Sequence, residues 1–177
     1  MPIEVEIRSF ISDEQFVKLI DFFKEHGSLI LEDEQETIYF DAPVDLRIQK
    51  NNILAKIILK GGIVHDESRE ETEIKIEREK FNDLLNLFTK LGFKIKIKWL
   101  RKRLQYSWRD ITVCLDDTKG YGKIIELEKM ATEEEKENAL ITLKEKLNSL
   151  QIEQSPRELF ERKFKEYEKN WKNLLER

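Results

Sequence analysis

The chain has 177 residues, 40% apolar and 38% charged, and its 32 Lys and Arg nearly cancel its 36 Asp and Glu to leave a formal net charge of −4. Such balance gives no global attraction to nucleic acid or an anionic membrane, so any anion site must be built locally. A single cysteine, Cys114, excludes an intramolecular disulfide framework and a cysteine-based zinc site; no stretch reaches the roughly 18 apolar residues of a membrane span and no signal-peptide pattern opens the chain, so a cytoplasmic protein is expected.

The opening run, IEVEIR, alternates Ile3, Val5 and Ile7 with Glu4, Glu6 and Arg8, the period of a half-buried strand. A helix follows over SDEQFVKLIDFFKEHG: Ser12 and Gln15 form a capping box, Phe16, Leu19, Ile20 and Phe23 make the apolar stripe, and Gly27 is expected in the left-handed position after it. ETIYFD, VDLRIQK and NILAKIILK read as strands separated by Ala42-Pro43 and Asn51-Asn52 turns. A polar loop from Gly61 to about Ser68 leads into REETEIKIE, which alternates again. Phe81, Leu84, Leu85, Phe88 and Leu91 mark a second helix that Gly92 stops. The stretch from Phe93 to Trp108 is one long strand or two joined by a bend, and ITVCLDD and KIIELEK form a hairpin across TKGYG. Two helices end the chain, one beginning near Thr132 and one at Ser155-Pro156. About eight strands with short links and intervening helices predict an α+β fold on an antiparallel sheet, a single domain over 1–177 whose C-terminal helices, from about 132 to 176, pack on the sheet.

One face of these strands is charged almost throughout. Asp45 and Arg47 oppose Leu46 and Ile48; Lys56 and Lys60 oppose Ala55, Ile57 and Leu59; Arg69, Glu71 and Glu73 oppose Ile74 and Ile76 in parity. Arg101 and Arg103 oppose Leu100 and Leu104, and Glu126 and Glu128 oppose Ile125 and Leu127. A solvated face is the ordinary explanation for any one of them. Repeated from strand to strand, with helices covering the apolar side, the pattern points to a sheet closed on itself around a charged lumen. Carboxylates there suit hard divalent cations, and Arg and Lys suit phosphate oxygens.

At these positions the sequence resembles the CYTH superfamily, the triphosphate tunnel metalloenzymes that include class IV adenylate cyclases and thiamine triphosphatases. EVEIR resembles the family's Glu-x-Glu-x-Lys signature, and YFDAP, LRIQ, IILKGG, REETEI, RKRLQY and CLDDTKGYGKIIELE follow in the family's order, covering nearly all of 1–129. The resemblance implies an eight-stranded antiparallel closed β-barrel, a tunnel, with helices packed on its outside. It implies Glu4, Glu6, Glu71, Glu73, Asp116, Glu126 and Glu128 as metal-facing carboxylates for Mg²⁺ or Mn²⁺. Arg47, Lys56, Lys60, Arg69, Arg101 and Arg103 correspond to phosphate ligands, and Glu4, Glu6 and Arg8 to the catalytic motif, with Arg8 also against phosphate. Arg8 stands where the family has Lys, which keeps the charge and changes its geometry and its ability to release a proton.

The activity implied is metal-dependent chemistry on a triphosphate: hydrolysis of inorganic, thiamine or nucleoside triphosphate, or cyclisation of ATP to cyclic AMP and pyrophosphate. A non-catalytic polyphosphate-binding module is the alternative outside enzymes. The expected partner is a triphosphate-containing small molecule, with no nucleic acid and no membrane, and a homodimer is compatible with the chain. His26, His65 and Cys114 lack partners at useful spacing, and Trp99, Trp108 and Trp171 read as packing residues.

Overall fold

Strand β1 (Ile3–Ile11) opens the chain, with Val5, Ile7 and Ile11 buried on one face and Glu4, Glu6 and Arg8 on the other. The computed structural model describes residues 3–62 and 67–176; the side chains of Ser68 and Arg69, and His65 entirely, lie outside that description. Helix α1 (Asp13–His26) starts with both halves of the capping box, the Gln15 amide donating to the Ser12 hydroxyl and the Ser12 amide to the Gln15 side chain. Gly27 is not left-handed: its φ is −118°, an ordinary extended value. What requires glycine is proximity, since a Cβ there would sit 3.1 Å from the Phe23 carbonyl and 3.3 Å from that of Ser107. Gly92 does take positive φ, +94°, after the second helix.

The remaining elements are β2 (Ser28–Asp41), β3 (Asp45–Lys50), β4 (Leu54–Lys60), β5 (Ser68–Arg69), β6 (Glu71–Glu77), α2 (Phe81–Lys90), β7 (Lys94–Trp108), β8 (Ile111–Thr118), β9 (Gly122–Ala131), α3 (Lys136–Ser149) and α4 (Arg157–Glu176). Thr132 and Glu135 bond each other in the turn before α3 rather than starting it. Eight long strands and the two-residue β5 form one antiparallel sheet in the order β5-β1-β9-β8-β7-β2-β3-β4-β6.

The sheet curls into an open half-barrel with four helices, not the closed tunnel expected from the sequence. Closure would need β1 laddered against β6. Instead β5 meets β1 at only two pairs, Val5 with Ser68 and Glu4 with Arg69, and after Glu70 the same run of chain joins β4 as β6. The single residue Glu70 links the two edges, so they approach there without being laddered along their length.

Helices α1 and α3 cover the convex face over Val5, Ile7, Val113, Leu115, Ile125 and Leu127, and α2 covers Ile38, Phe40, Ile48 and Ala55. Helix α4 departs from the expected outside position. Its Phe160 stacks on Phe10 with centroids 4.5 Å apart, and Phe10 shares the β1 face of Glu4, Glu6 and Arg8. The aromatic stripe of α4, Phe160, Phe164 and Tyr167, thus meets Trp99, Tyr121 and Ile124 at one end of the concave side. Its last turn is seated against the β8–β9 turn, where Gly120 has φ +75° and a Cβ would lie 2.7 Å from the Leu174 Cβ. Gly120→Ala should therefore cost more than about 1 kcal/mol and loosen α4 before the sheet. Hydrogen exchange should show early loss of protection in 157–176; unchanged protection there would contradict this seating.

Candidate active site

Alternation delivers the charged side chains to one concavity. A cavity of about 320 Å³ is lined by Glu4, Glu6 and Arg8 from β1, Arg47 from β3, Lys56 and Lys60 from β4, and Glu71 and Glu73 from β6, together with Arg101 and Arg103 from β7, Asp116 from β8, and Glu126 and Glu128 from β9. Every side chain chosen from sequence is there except Arg69, whose side chain is not among those described. Register explains the meeting: Glu6 stands opposite Glu128, Arg8 opposite Glu126, Arg103 opposite Asp116, and Lys60 opposite Glu71.

The arginines are held rigidly. Asp45 takes Arg47 through two bonds of 2.7 and 2.6 Å while its guanidinium lies 4.3 Å over the Tyr39 ring. Arg103 donates Nε and Nη2 to the two oxygens of Asp116, at 2.8 and 2.7 Å, and Nη2 also reaches Glu126 at 2.9 Å. Arg101 donates Nη1 to Asp116 at 3.1 Å and Nε to the Gln35 side-chain oxygen at 2.9 Å. Asp116, 2% exposed, thus gives both oxygens to arginine, which suits it to fixing those cations more than to holding a metal. Lys60 lies 2.8 Å from Glu71 and 3.5 Å from Glu4, and Lys56 lies 2.6 Å from Glu73.

Opposite this basic wall stands a cluster of carboxylates short of cations. Burial, then Glu6, Glu71 and Glu126, push the Glu4 carboxyl above its ordinary value against the pull of Lys60. Burial acts upward on Glu126 too, but Arg103, the Glu128 hydrogen bond, Arg8 and Arg101 hold it well below. Burial and the ionised Glu126 push Glu128 well above. The two carboxyls therefore titrate as a pair, Glu126 driven toward its charged form and Glu128 toward its neutral one. Crowded carboxyls raised by burial and mutual repulsion are groups that a hard cation would relieve, and Glu4, Glu6, Glu126 and Glu128 offer the oxygen ligands that Mg²⁺ or Mn²⁺ prefers. Cys114 joins Glu126 and Glu128 in a group whose ligand atoms all lie within 4.8 Å. Burial holds its thiol well above the usual range, so it stays neutral and is a poor ligand for a hard ion.

Several lining residues escape a reading of the sequence: Gln35, Gln49, Thr118, Tyr39, Tyr121, Phe160 and Phe164, with Trp99 more than a packing residue because it also faces the cavity. Gln35 and Tyr39 are findable, since they alternate along β2; starting that strand at Glu36 rather than Ser28 hides Gln35. Nothing in the sequence marks Thr118, a buried hydroxyl without a hydrogen-bond partner among the described residues.

A CYTH domain model matches residues 2–164. The chain belongs to the CYTH family. A Methanocaldococcus jannaschii protein provisionally named an adenylate cyclase is 34% identical over 166 residues, 85% of this chain and 90% of that protein. Among solved structures, the PH1819 protein of Pyrococcus horikoshii is 28% identical with a TM-score of 0.72, covering 87% of this chain and 93% of its own. A Hippeastrum protein described as having a dominant triphosphatase activity shares the fold, at 20% identity and a TM-score of 0.61 over 86% of this chain and 89% of its own.

The raised Glu128 carboxyl has a measurable consequence. Because the folded state raises the Glu128 carboxyl, its contribution to stability is full below the unfolded value near 4.5 and is lost as pH rises through the folded value. Glu4 acts in the same sense, and Glu126, held low, contributes fully above 4.5 and loses only as pH falls below it. In chelator, the melting temperature of the wild type should fall relative to Glu128→Gln as pH rises above 4.5. Parallel curves for the two proteins would contradict the upward shift of Glu128.

Proposed function

We propose that the protein is a divalent-metal-dependent enzyme acting on a triphosphate held in the cavity, and that it transfers the terminal phosphoryl to water. The observation that carries this reading is the pairing of two walls, arginines and lysines facing an under-neutralised carboxylate cluster within one concave cavity. Membership of the CYTH family supports it. The basic side chains Arg47, Lys56, Lys60, Arg101 and Arg103 hold the phosphate chain, with Arg8 and Arg69 completing the set. Glu4, Glu6, Glu126 and Glu128 hold Mg²⁺ or Mn²⁺, with Glu71, Glu73 and Asp116 in support. A bound cation would offset phosphate charge and make the attacking oxygen a stronger nucleophile.

The residues of the chain do the rest. Arginines fixed before substrate arrives lose no freedom on binding and stabilise charge where it develops. Glu4 and Glu6 orient the nucleophile, and Arg8 at the Lys position of the signature supplies charge without shedding a proton. Lys56 and Lys60, paired with Glu73 and Glu71, would present their ammonium groups to phosphate oxygens.

Cyclisation of ATP is the second reading, favoured by the name of the M. jannaschii relative. The aromatic end of the cavity argues for hydrolysis: Trp99 and Tyr121 pack on each other, centroids 4.5 Å apart, and both are 8% exposed, so no open slot for a base lies between them. A binding module without chemistry would gain little from so many buried carboxylates.

Incubation with Mg²⁺ or Mn²⁺ and tripolyphosphate, thiamine triphosphate or ATP should release orthophosphate, whereas cyclic AMP with pyrophosphate would establish the cyclase and no product would leave the module. Glu4→Gln with Glu6→Gln should abolish turnover in a protein that still melts cooperatively, and full activity would remove both from the site.

A further inference from the structure

Asp33 is 1% exposed, and no lysine or arginine among the described residues neutralises it. Its two oxygens accept there from neutral donors, Oδ1 from the Asn52 amide and Oδ2 from the Gln35 side-chain nitrogen, each at 3.0 Å. Burying a carboxylate this way is costly, and Arg103 stands opposite it in the β2–β7 ladder without being its partner. The neighbouring Gln35 explains the arrangement. Its amide nitrogen is claimed by Asp33, so its oxygen must point the other way, and there it accepts both Nε and Nη2 of Arg101. The amide satisfies both neighbours in only one orientation.

We infer that Asp33 and Gln35 are positioning residues for anion binding: Asp33 sets the Gln35 amide, and the amide sets the plane of the Arg101 guanidinium. With Nε and one Nη2 hydrogen engaged by Gln35 and Nη1 engaged by Asp116, the remaining N–H groups of Arg101 are left for a ligand in the cavity. A second carboxylate in place of Gln35 would grip Arg101 more strongly but would face Asp33 with like charge. A neutral amide between a buried carboxylate and a guanidinium orients the cation without neutralising it, which a site for phosphate oxygens needs. This inference rests on the triphosphate reading only for the identity of the anion.

The sign of one substitution separates positioning from simple electrostatics. Asp33→Asn removes a negative charge near the basic wall, which by Coulomb's law alone strengthens anion binding. Positioning predicts the opposite. The substituted side chain must keep its oxygen toward the Asn52 amide, so its own nitrogen faces Gln35, the Gln35 amide turns over, and its nitrogen is driven against Arg101. Titration calorimetry with Mg²⁺ and tripolyphosphate should show affinity reduced about tenfold, the scale of one charge-assisted hydrogen bond. Gln35→Glu should weaken binding as well, by setting two carboxylates face to face. The exchange variant, Asp33→Asn with Gln35→Glu, restores one carboxylate, one amide and every donor–acceptor pair, and it should bind more tightly than either single variant. If Asp33→Asn does not fold, the comparison of Gln35→Glu with the exchange variant carries the test.

A ligand-free readout keeps this separate from the triphosphate reading. The Arg101 Nε–H resonance, assigned by its loss in Arg101→Lys, should exchange slowly with solvent in the wild type, in Gln35→Glu and in the exchange variant, all of which keep an acceptor on it, and quickly in Asp33→Asn. Unchanged Arg101 exchange in Asp33→Asn, or affinity equal to or above wild type, would overturn the inference. Slow exchange in a wild type that does not bind tripolyphosphate would sustain the positioning pair and overturn the choice of anion.

Discussion

Everything at the site depends on placing charges of both signs on the concave face of one curled sheet, where none can be left unmatched at low cost. The ladder solves this by register. Opposing strands set Lys60 against Glu71, Arg103 against Asp116 and Arg8 against Glu126, so cations and carboxylates meet across hydrogen-bonded neighbours. The apolar convex face is what makes the charged concave face tolerable: α1, α2 and α3 cover it, and the sheet can then turn its charged side inward.

The matching is uneven, and the unevenness is where chemistry can occur. Arg47 and Arg103 have carboxylate forks, Arg101 has a neutral amide and one carboxylate oxygen, Lys56 has Glu73, and Lys60 lies between Glu71 and Glu4. Across from them Glu4, Glu126 and Glu128 outnumber their cations, and burial with mutual repulsion pushes the Glu4 and Glu128 carboxyls upward. A triphosphate alone would find rigid donors but would face an acidic wall, and a cation alone would satisfy that wall and leave the basic one in its internal pairs. Each ligand removes what opposes the other, so the two are expected to bind as a unit.

Much of this is legible as a period of two. Glu4, Glu6, Arg8, Lys56, Lys60, Arg101, Arg103, Glu126 and Glu128 fall on one face by parity, and parity is a local property that a sequence displays directly. Curvature is not local. A charged inner face suggests a closed tunnel, but how far the edges ladder depends on long-range pairing, and that edge of β1 gains only two pairs, with β5, before the chain crosses at Glu70 to β4. The position of α4 is hidden for a similar reason, because an aromatic stripe shows that a helix buries one side and does not say which layer receives it. Asp33 and Gln35 are obscured at the start of β2, whose run LILEDEQE mixes apolar and acidic residues without clean alternation. Gly27 shows that a helix-ending glycine can answer to crowding rather than to φ.

Joint occupation of the cavity by a divalent cation and a triphosphate is tested most directly by titration calorimetry. Tripolyphosphate is titrated into the protein with Mg²⁺ present and with Mg²⁺ removed by chelator, each repeated with sulfate. Joint binding predicts that Mg²⁺ tightens tripolyphosphate binding at least tenfold beyond its effect on sulfate, about 1.4 kcal/mol of coupling. Equal affinity with and without the cation, or an equal gain for sulfate, would contradict it.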